Sequence, residues 1–169
     1  MDSKISRREL LTKTSVVGAG LALGSLSTAS AIASDSEGRN TIGASIRRAD
    51  FKKEKHVPVI ELPSRIVAGQ PFDLTVSVGK DIPHPNTTEH FINWICVYFK
   101  AAGESRVTEL AKFEFTAHGE SPMGTNKGPA HSDPHVSARM RLKKSGTLIA
   151  VSYCNIHGLW ESAVTVTTV

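Results

Sequence analysis

The feature that most constrains the fold is an alternation of apolar and polar residues, which recurs along the chain after residue 55. Residues 72–78, FDLTVSV, show it most clearly, because every second residue is apolar. A period of two is typical of a β-strand that has one face in a core. Further runs with strand character lie at residues 57–62, 91–99, 107–117, 136–143, 148–153 and 163–169.

Turn-forming residues separate these runs, and no helical periodicity is found after residue 50. The separators include AGQP at 68–71, GKD at 79–81, AGE at 102–104 and KSG at 144–146. About seven short strands at regular spacing predict an all-β fold, an immunoglobulin-like antiparallel β-sandwich. The Cys…Trp…Cys order of antibody domains is absent, so the prediction concerns architecture alone.

Residues 1–33 have the composition of a targeting segment. Arg7 and Arg8 precede two leucines, residues 16–32 are weakly apolar, and AIA at 31–33 supplies a small-x-small cleavage pattern. This combination predicts a Tat signal peptide and export to the periplasm or another extracytoplasmic space. An uncleaved anchor is the alternative, but the many Gly, Ser and Thr residues make a poor membrane span.

The remaining chain is long enough for one domain, and its charge does not favour a nucleic-acid partner. Residues 34–50 are polar and aperiodic and are interpreted as a flexible N-terminal arm, and residues 51–169 as the domain. Four of the 20 basic and two of the 16 acidic residues lie in the signal, so the rest is nearly neutral. No basic stripe interleaves with aromatic residues, as nucleic-acid binding would require.

Three short clusters of metal-binding residue types lie beside the predicted strands. They are EKH at 54–56, HPNTTEH at 84–90 and CNIHGLWE at 154–161. One thiol and four imidazoles form a ligand set for a borderline transition metal, and not for calcium or magnesium. Because three separate segments supply the donors, we expect the fold to assemble the site.

Together these clusters resemble the motifs of the superoxide reductases, the neelaredoxin and desulfoferrodoxin family. The resemblance covers about residues 50–169. The two-centre members carry an additional four-cysteine module, whereas this chain has only two cysteines and neither lies in the first ninety residues. The chain therefore resembles the single-iron branch.

The resemblance implies one mononuclear iron (Fe²⁺/Fe³⁺), with an open sixth position. Four imidazoles would bind in a plane and the thiolate on one axis. In this sequence those ligands are His56, His84, His90 and His157 in the plane, and Cys154 on the axis.

The resemblance also implies an activity, the one-electron reduction of superoxide to hydrogen peroxide. Lys55 would steer the anion, Glu54 would correspond to the carboxylate that can occupy the open position, and Asn155, Gly158 and Trp160 would surround and orient the thiolate. The electron donor would be another, unidentified molecule. Single-iron relatives are often homotetramers, so a homo-oligomer is expected.

Other interpretations of the same residues stay open. A Cys96–Cys154 disulfide would leave no thiolate, although Cys96 also fits a packed thiol in a central strand. A blue-copper electron-transfer protein would need two His, one Cys and usually an axial Met, and no Met follows Met140. A metal-binding accessory protein without turnover is the third alternative.

Three histidines fall outside the predicted site, in or next to a loop at 119–134. They are His118, His131 and His135, and the loop is rich in Gly and Pro. We interpret them as solvated loop residues, because the prolines prevent a regular ligand face. A second metal site or a lid is the alternative.

Overall fold

The computed structural model describes residues 41–169, and seven β-strands make up nearly all of the regular secondary structure in that part of the chain. The predicted signal peptide lies outside the described residues. The elements are one helical turn, α1 (Ile42–Ser45), and the strands β1 (Pro58–Glu61), β2 (Pro71–Val78), β3 (Ile92–Ala101), β4 (Thr108–Glu114), β5 (His135–Arg141), β6 (Gly146–Cys154) and β7 (Gly158–Val166).

The strands form two antiparallel sheets. One has the order β1-β2-β5 and the other the order β4-β3-β6-β7. The side chains of Leu74 and Val76 in the first sheet belong to the same buried cluster as Ile95, Val97 and Leu148 in the second. The two sheets therefore pack face to face, and the predicted antiparallel β-sandwich is confirmed.

The last predicted strand begins too late. The sequence placed it at 163–169, whereas β7 starts at Gly158, directly after the predicted ligand His157. β7 pairs with β6 along its whole length, from Cys154 opposite Gly158 to Gly146 opposite Val166. The metal-ligand motif is thus the turn of a long hairpin, and not a loop between separate strands.

The end of the predicted N-terminal arm lies against β7. Arg47 forms an isolated parallel bridge with Trp160, and its backbone bonds Leu159 and Glu161. The Arg48 guanidinium donates two hydrogen bonds to Glu161 Oε1, at 2.7 and 2.9 Å. This end of the arm is therefore attached to the domain. No helix among residues 41–169 is long and apolar enough to cross a membrane.

Candidate metal centre

The strand pairing brings the three predicted ligand clusters to one end of the sandwich. Pro58, at the start of β1, pairs with Val78, at the end of β2. Ile92, at the start of β3, pairs with Cys154, at the end of β6. In an antiparallel pair the start of one strand lies beside the end of its neighbour. Each cluster lies next to one of these strand ends, so the clusters meet.

The β6–β7 turn presents Cys154 and His157 from one tight backbone. Gly158 has a φ of +77°, a left-handed conformation that favours glycine. Cys154 is fully buried, and the His157 backbone N–H donates to its sulfur at 3.4 Å. Both cysteines of the chain are free and buried, so the Cys96–Cys154 disulfide is not formed.

The donor atoms of four predicted ligands converge around the His157 ring. His157 Nδ1 lies 3.0 Å from His56 Nε2, 3.2 Å from His90 Nε2 and 3.5 Å from Cys154 Sγ. All four donor atoms lie within 4.8 Å of one another. The fold therefore assembles one compact cluster from three distant segments.

His56 is held by contacts on three sides. Glu54 Oε1 lies 2.5 Å from its Nδ1, and the Ser152 hydroxyl donates to its backbone carbonyl at 3.0 Å. The Trp160 ring stacks on the imidazole at 5.0 Å between centroids, with 14° between planes. A carboxylate accepts only, so Nδ1 carries the proton and Nε2 is left bare toward the cluster. Glu54 here orients a ligand, and Ser152 is a supporting residue that the sequence did not single out.

His84 lies beside this group of four. Its ring centroid is 4.8 Å from that of His56 and 4.7 Å from that of His90. Its Nδ1 lies 2.6 Å from the Pro85 carbonyl oxygen, while its buried Nε2 has no partner among the described residues. A glycine at position 79 lets the segment at His84 approach the end of β2, because a Cβ at residue 79 would lie 2.6 Å from the His84 backbone nitrogen. The ring therefore offers one bare nitrogen beside the cluster.

Asn155 joins the β6–β7 turn to the segment that carries His90. Its side-chain oxygen accepts from the Phe91 N–H at 2.9 Å, and its side-chain nitrogen donates to the Glu89 carbonyl at 2.8 Å. Both residues flank His90. The predicted supporting role of Asn155 thus takes the form of two hydrogen bonds that set the distance between two ligand segments.

The electrostatics favour the neutral form of three of the site's imidazoles, those of His56, His84 and His90. Burial lowers the pKa of His84 to about 4, against an opposing hydrogen bond to the Pro85 carbonyl, and it also lowers the pKa values of His56 and His90. The positive charge of Lys55 lowers all three further, so its ammonium lies near the site. Neutral imidazole is the form that binds metals.

A metal ion fits these residues better than hydrogen bonds alone. A single proton on His157 Nδ1 can serve only one of the three acceptors around it, which are His56 Nε2, His90 Nε2 and Cys154 Sγ. The buried Nε2 of His84 would still be unpaired, at a cost of about 1–3 kcal/mol. A cation among these atoms would satisfy all of them. Sulfur and imidazole donors select a transition metal.

The loop histidines have different surroundings, and one interpretation was wrong. His131 and His135 are exposed, as expected, but His118 is 2% exposed. Its ring stacks on Phe91 at 3.8 Å and bonds Asn86. The Gly- and Pro-rich composition describes the loop at 119–134, whereas His118 lies just before that loop, three residues after buried Phe115.

The fold and the donor set define a class of small antiparallel β-sandwich proteins with a thiolate–imidazole metal site. The family model described as Desulfoferrodoxin matches residues 48–163. This chain is 52% identical over 115 residues to neelaredoxin of Megalodesulfovibrio gigas, covering 68% of this chain and 88% of the relative. It is 50% identical over 124 residues to superoxide reductase of Pyrococcus furiosus, covering 73% and 98%.

A solved structure agrees with the sequence relatives. The superoxide reductase (neelaredoxin) of Archaeoglobus fulgidus in the reduced form superposes with a TM-score of 0.67 at 48% identity, covering 72% of this chain and 98% of that one. The chain belongs to the desulfoferrodoxin family. The predicted family resemblance is confirmed over essentially the whole sandwich.

Proposed function

We propose that the protein is an exported, single-iron superoxide reductase, which reduces superoxide by one electron to hydrogen peroxide. The observation that carries the proposal is the convergence of Cys154 Sγ with ring nitrogens of His56, His90 and His157 in a member of this family. Relatives that are named superoxide reductase align with nearly the whole domain. The activity follows from the family, and the metal site supports it.

The proposed ligands are four imidazoles and one thiolate. The Nε2 atoms of the upstream rings and Nδ1 of the turn histidine are the nitrogens that face the cluster and could bind iron. The residues that would hold iron are His56, His84, His90 and His157 through ring nitrogens and Cys154 through its sulfur. Iron, when bound, supplies the electron that superoxide accepts, and a thiolate ligand increases the electron density at the metal.

Two side chains act on the reaction without being ligands. Lys55 places a positive charge close to three of the rings, which attracts a small anion to the site. Glu54 holds the proton on His56 Nδ1 and so fixes which nitrogen faces the metal. Reaching an open metal position would require Glu54 to leave His56.

The test combines metal analysis with kinetics. Protein isolated from its native source should contain one iron per chain, turn blue on oxidation through thiolate-to-iron charge transfer, and consume superoxide without releasing dioxygen. Stoichiometric copper or zinc would refute the iron centre. Iron without any reaction with superoxide would favour the accessory-protein alternative. Two imidazoles and one thiolate suffice for blue copper, so further imidazoles at the site argue against that alternative.

The electron donor and the assembly belong to the proposal as well. We expect an external reductant and a homo-oligomer, with a tetramer favoured. Side chains alternate along a strand, so Trp94 and Tyr98 lie on the opposite face of β3 from the core residues Ile95 and Val97. Trp94 stacks there on Tyr153 of β6, and such a partly exposed aromatic surface suits assembly. Sedimentation analysis would test it, and a monomer would contradict it.

Export by the Tat route is the remaining part of the proposal. The paired guanidinium groups of Arg7 and Arg8 and the small-residue exit at 31–33 support it. Replacing both arginines by lysine should retain the protein in the cytoplasm with residues 1–33 attached. Normal export of this double variant, measured by cell fractionation, would show that a different route is used.

A further inference from the structure

The buried imidazole of His118 lies behind the loop that carries two proposed ligands. We define this ligand loop as residues 84–91, and the segment that covers it, residues 116–134, as the buttress loop. The buttress loop closes on itself, because the Ser132 N–H donates to the Ala117 carbonyl at 2.7 Å and the Gly119 N–H donates to the Ala130 carbonyl at 3.1 Å. These two bonds enclose His118 and fix its backbone.

The Nδ1 atom of His118 bonds a side chain of the ligand loop. It lies 2.7 Å from Asn86 Oδ1. The orientation of the Asn86 amide is determined, because its Nδ2 lies 3.2 Å from both the Ser132 carbonyl and Asp133 Oδ1. Turning the amide over would place its oxygen against two acceptors. His118 Nδ1 therefore carries a hydrogen and donates a hydrogen bond to Asn86 Oδ1.

The other ring nitrogen also faces an acceptor. His118 Nε2 lies 3.0 Å from the Phe115 carbonyl oxygen, which has no proton to give. Both ring nitrogens therefore face oxygen atoms that the surrounding structure holds in place. Two carboxylates help to hold these surroundings: Glu120 accepts from the His118 backbone N–H at 2.7 Å, and Asp133 accepts from Asn86 at 3.2 Å. His131, opposite His118 in the bridge, is the other titratable group on this side.

The face of the ring makes a second contact with the ligand loop. His118 stacks on Phe91 with centroids 3.8 Å apart and 17° between the planes. Phe91 directly follows His90, and Asn86 is two residues after His84. One buried side chain therefore contacts the loop beside each of its proposed ligands.

We propose that His118 is a positioning residue for the metal centre, a buried clamp that holds Asn86 and Phe91 and so places His84 and His90. It touches neither the metal ligands nor the substrate. The inference rests on the proposed iron centre, but it concerns how firmly the loop holds the metal. It therefore predicts metal retention independently of turnover.

The test measures iron loss from the iron-loaded protein to an excess of a strong chelator. His118→Gln keeps a side-chain donor but loses the ring that stacks on Phe91, and His118→Leu loses both the donor and the ring. Iron loss should be about tenfold faster in His118→Gln and faster still in His118→Leu, with a shifted visible band in the oxidised protein. The matched control is His131→Gln, which removes an exposed histidine from the same buttress loop and should match wild type.

A double-mutant cycle separates positioning from general loss of stability. Asn86→Ala, His118→Gln and the pair should be strongly non-additive in the rate of iron loss, because one hydrogen bond joins the two residues. Additive effects in the cycle would overturn the inference. So would a His118→Leu variant that loses iron at the wild-type rate and has an unchanged visible band. If His118→Leu does not fold, the cycle with His118→Gln decides. A wild-type protein that retains iron but does not react with superoxide would refute the proposed function alone.

Discussion

The two parts of the site that supply most of the proposed ligands are built in different ways. The β6–β7 turn carries Cys154 and His157, and backbone pairing fixes it through Cys154 opposite Gly158 and Ile92. The ligand loop, residues 84–91, has no strand pairing. Its described contacts come largely from side chains distant in sequence, which are those of His118, Asn126 and Asn155.

The geometry of the turn depends on residues that are neighbours in sequence, whereas the geometry of the ligand loop depends on side chains that are distant in sequence. In the turn, Gly158 and the hairpin register suffice to bring together the Cys154 sulfur and the His157 ring, which are three residues apart in sequence. In the ligand loop, Asn126 alone makes three bonds, since its side chain accepts from the Thr88 N–H at 2.7 Å and the Thr88 hydroxyl at 3.0 Å and donates to Glu89 at 2.9 Å. We expect changes in the turn to act on the metal directly, and changes around the loop to act through position and stability.

Cys154→Ser should produce the largest effect, because it removes the sulfur donor of the β6–β7 turn. A serine hydroxyl stays protonated near neutral pH and is a poor replacement for a thiolate. The visible charge-transfer band should vanish, and the second-order rate with superoxide should fall by at least about a hundredfold. The control is Cys96→Ser, because Cys96 lies on the outer face of β3, and it should keep the band. A band that survives in Cys154→Ser would show that the thiolate is not a ligand.

Asn155→Ala should come next, because it cuts the connection between the two parts. The substitution leaves the Phe91 N–H and the Glu89 carbonyl without their partner. We expect the free energy of unfolding of the metal-free protein to fall by about 2–3 kcal/mol in urea denaturation. The neighbouring Ile156→Ala changes an exposed residue of the same turn and should cost at most about 0.5 kcal/mol. Equal effects of the two variants would contradict the proposed bridge.

The same distinction explains what the sequence could predict. The sandwich and its seven strands were recognisable because alternation at 72–78 and elsewhere reflects burial of one strand face. The Cys-x-x-His turn was recognisable because its donors are close in sequence. The clamp of His118 on Asn86 and the support of His56 by Ser152 were not, because neither pair shares a local pattern. The start of β7 was missed because residues 158–162, GLWES, do not alternate between apolar and polar side chains.

Lys55→Ala should have a moderate effect that leaves both parts intact. It removes a positive charge near the rings but no ligand, so iron content and colour should persist. Losing about 1–2 kcal/mol of attraction corresponds to a five- to thirtyfold slower reaction with superoxide at low ionic strength. The wild-type rate should fall with added salt more steeply than that of the variant. Pulse radiolysis at two salt concentrations measures both effects, and Lys53→Ala removes an exposed charge two residues away as the control.

Should Lys55→Ala and Lys53→Ala slow the reaction equally, the effect would reflect net charge and not a local steering role. A wild-type rate that does not depend on ionic strength would also argue against steering. Neither result would affect the assignment of the ligands, because Lys55 donates no electron pair to the site.

Arg47→Ala should produce the smallest effect. It tests whether the segment that carries His56 also depends on side chains that are distant in sequence. The Arg47 guanidinium lies 5.5 Å from the centroid of the Trp160 ring, and that ring stacks on His56. A partly exposed cation–π contact contributes about 0.5–1 kcal/mol, so the free energy of unfolding should fall by about that amount. The tryptophan emission should also change, since Trp160 loses a charged neighbour. Arg139→Ala removes an exposed ion pair with Asp73 and should leave the emission unchanged. If Arg47→Ala alters neither quantity, the Arg47 side chain contributes nothing to the placement of His56, which the contacts with Glu54, Ser152 and Trp160 then hold.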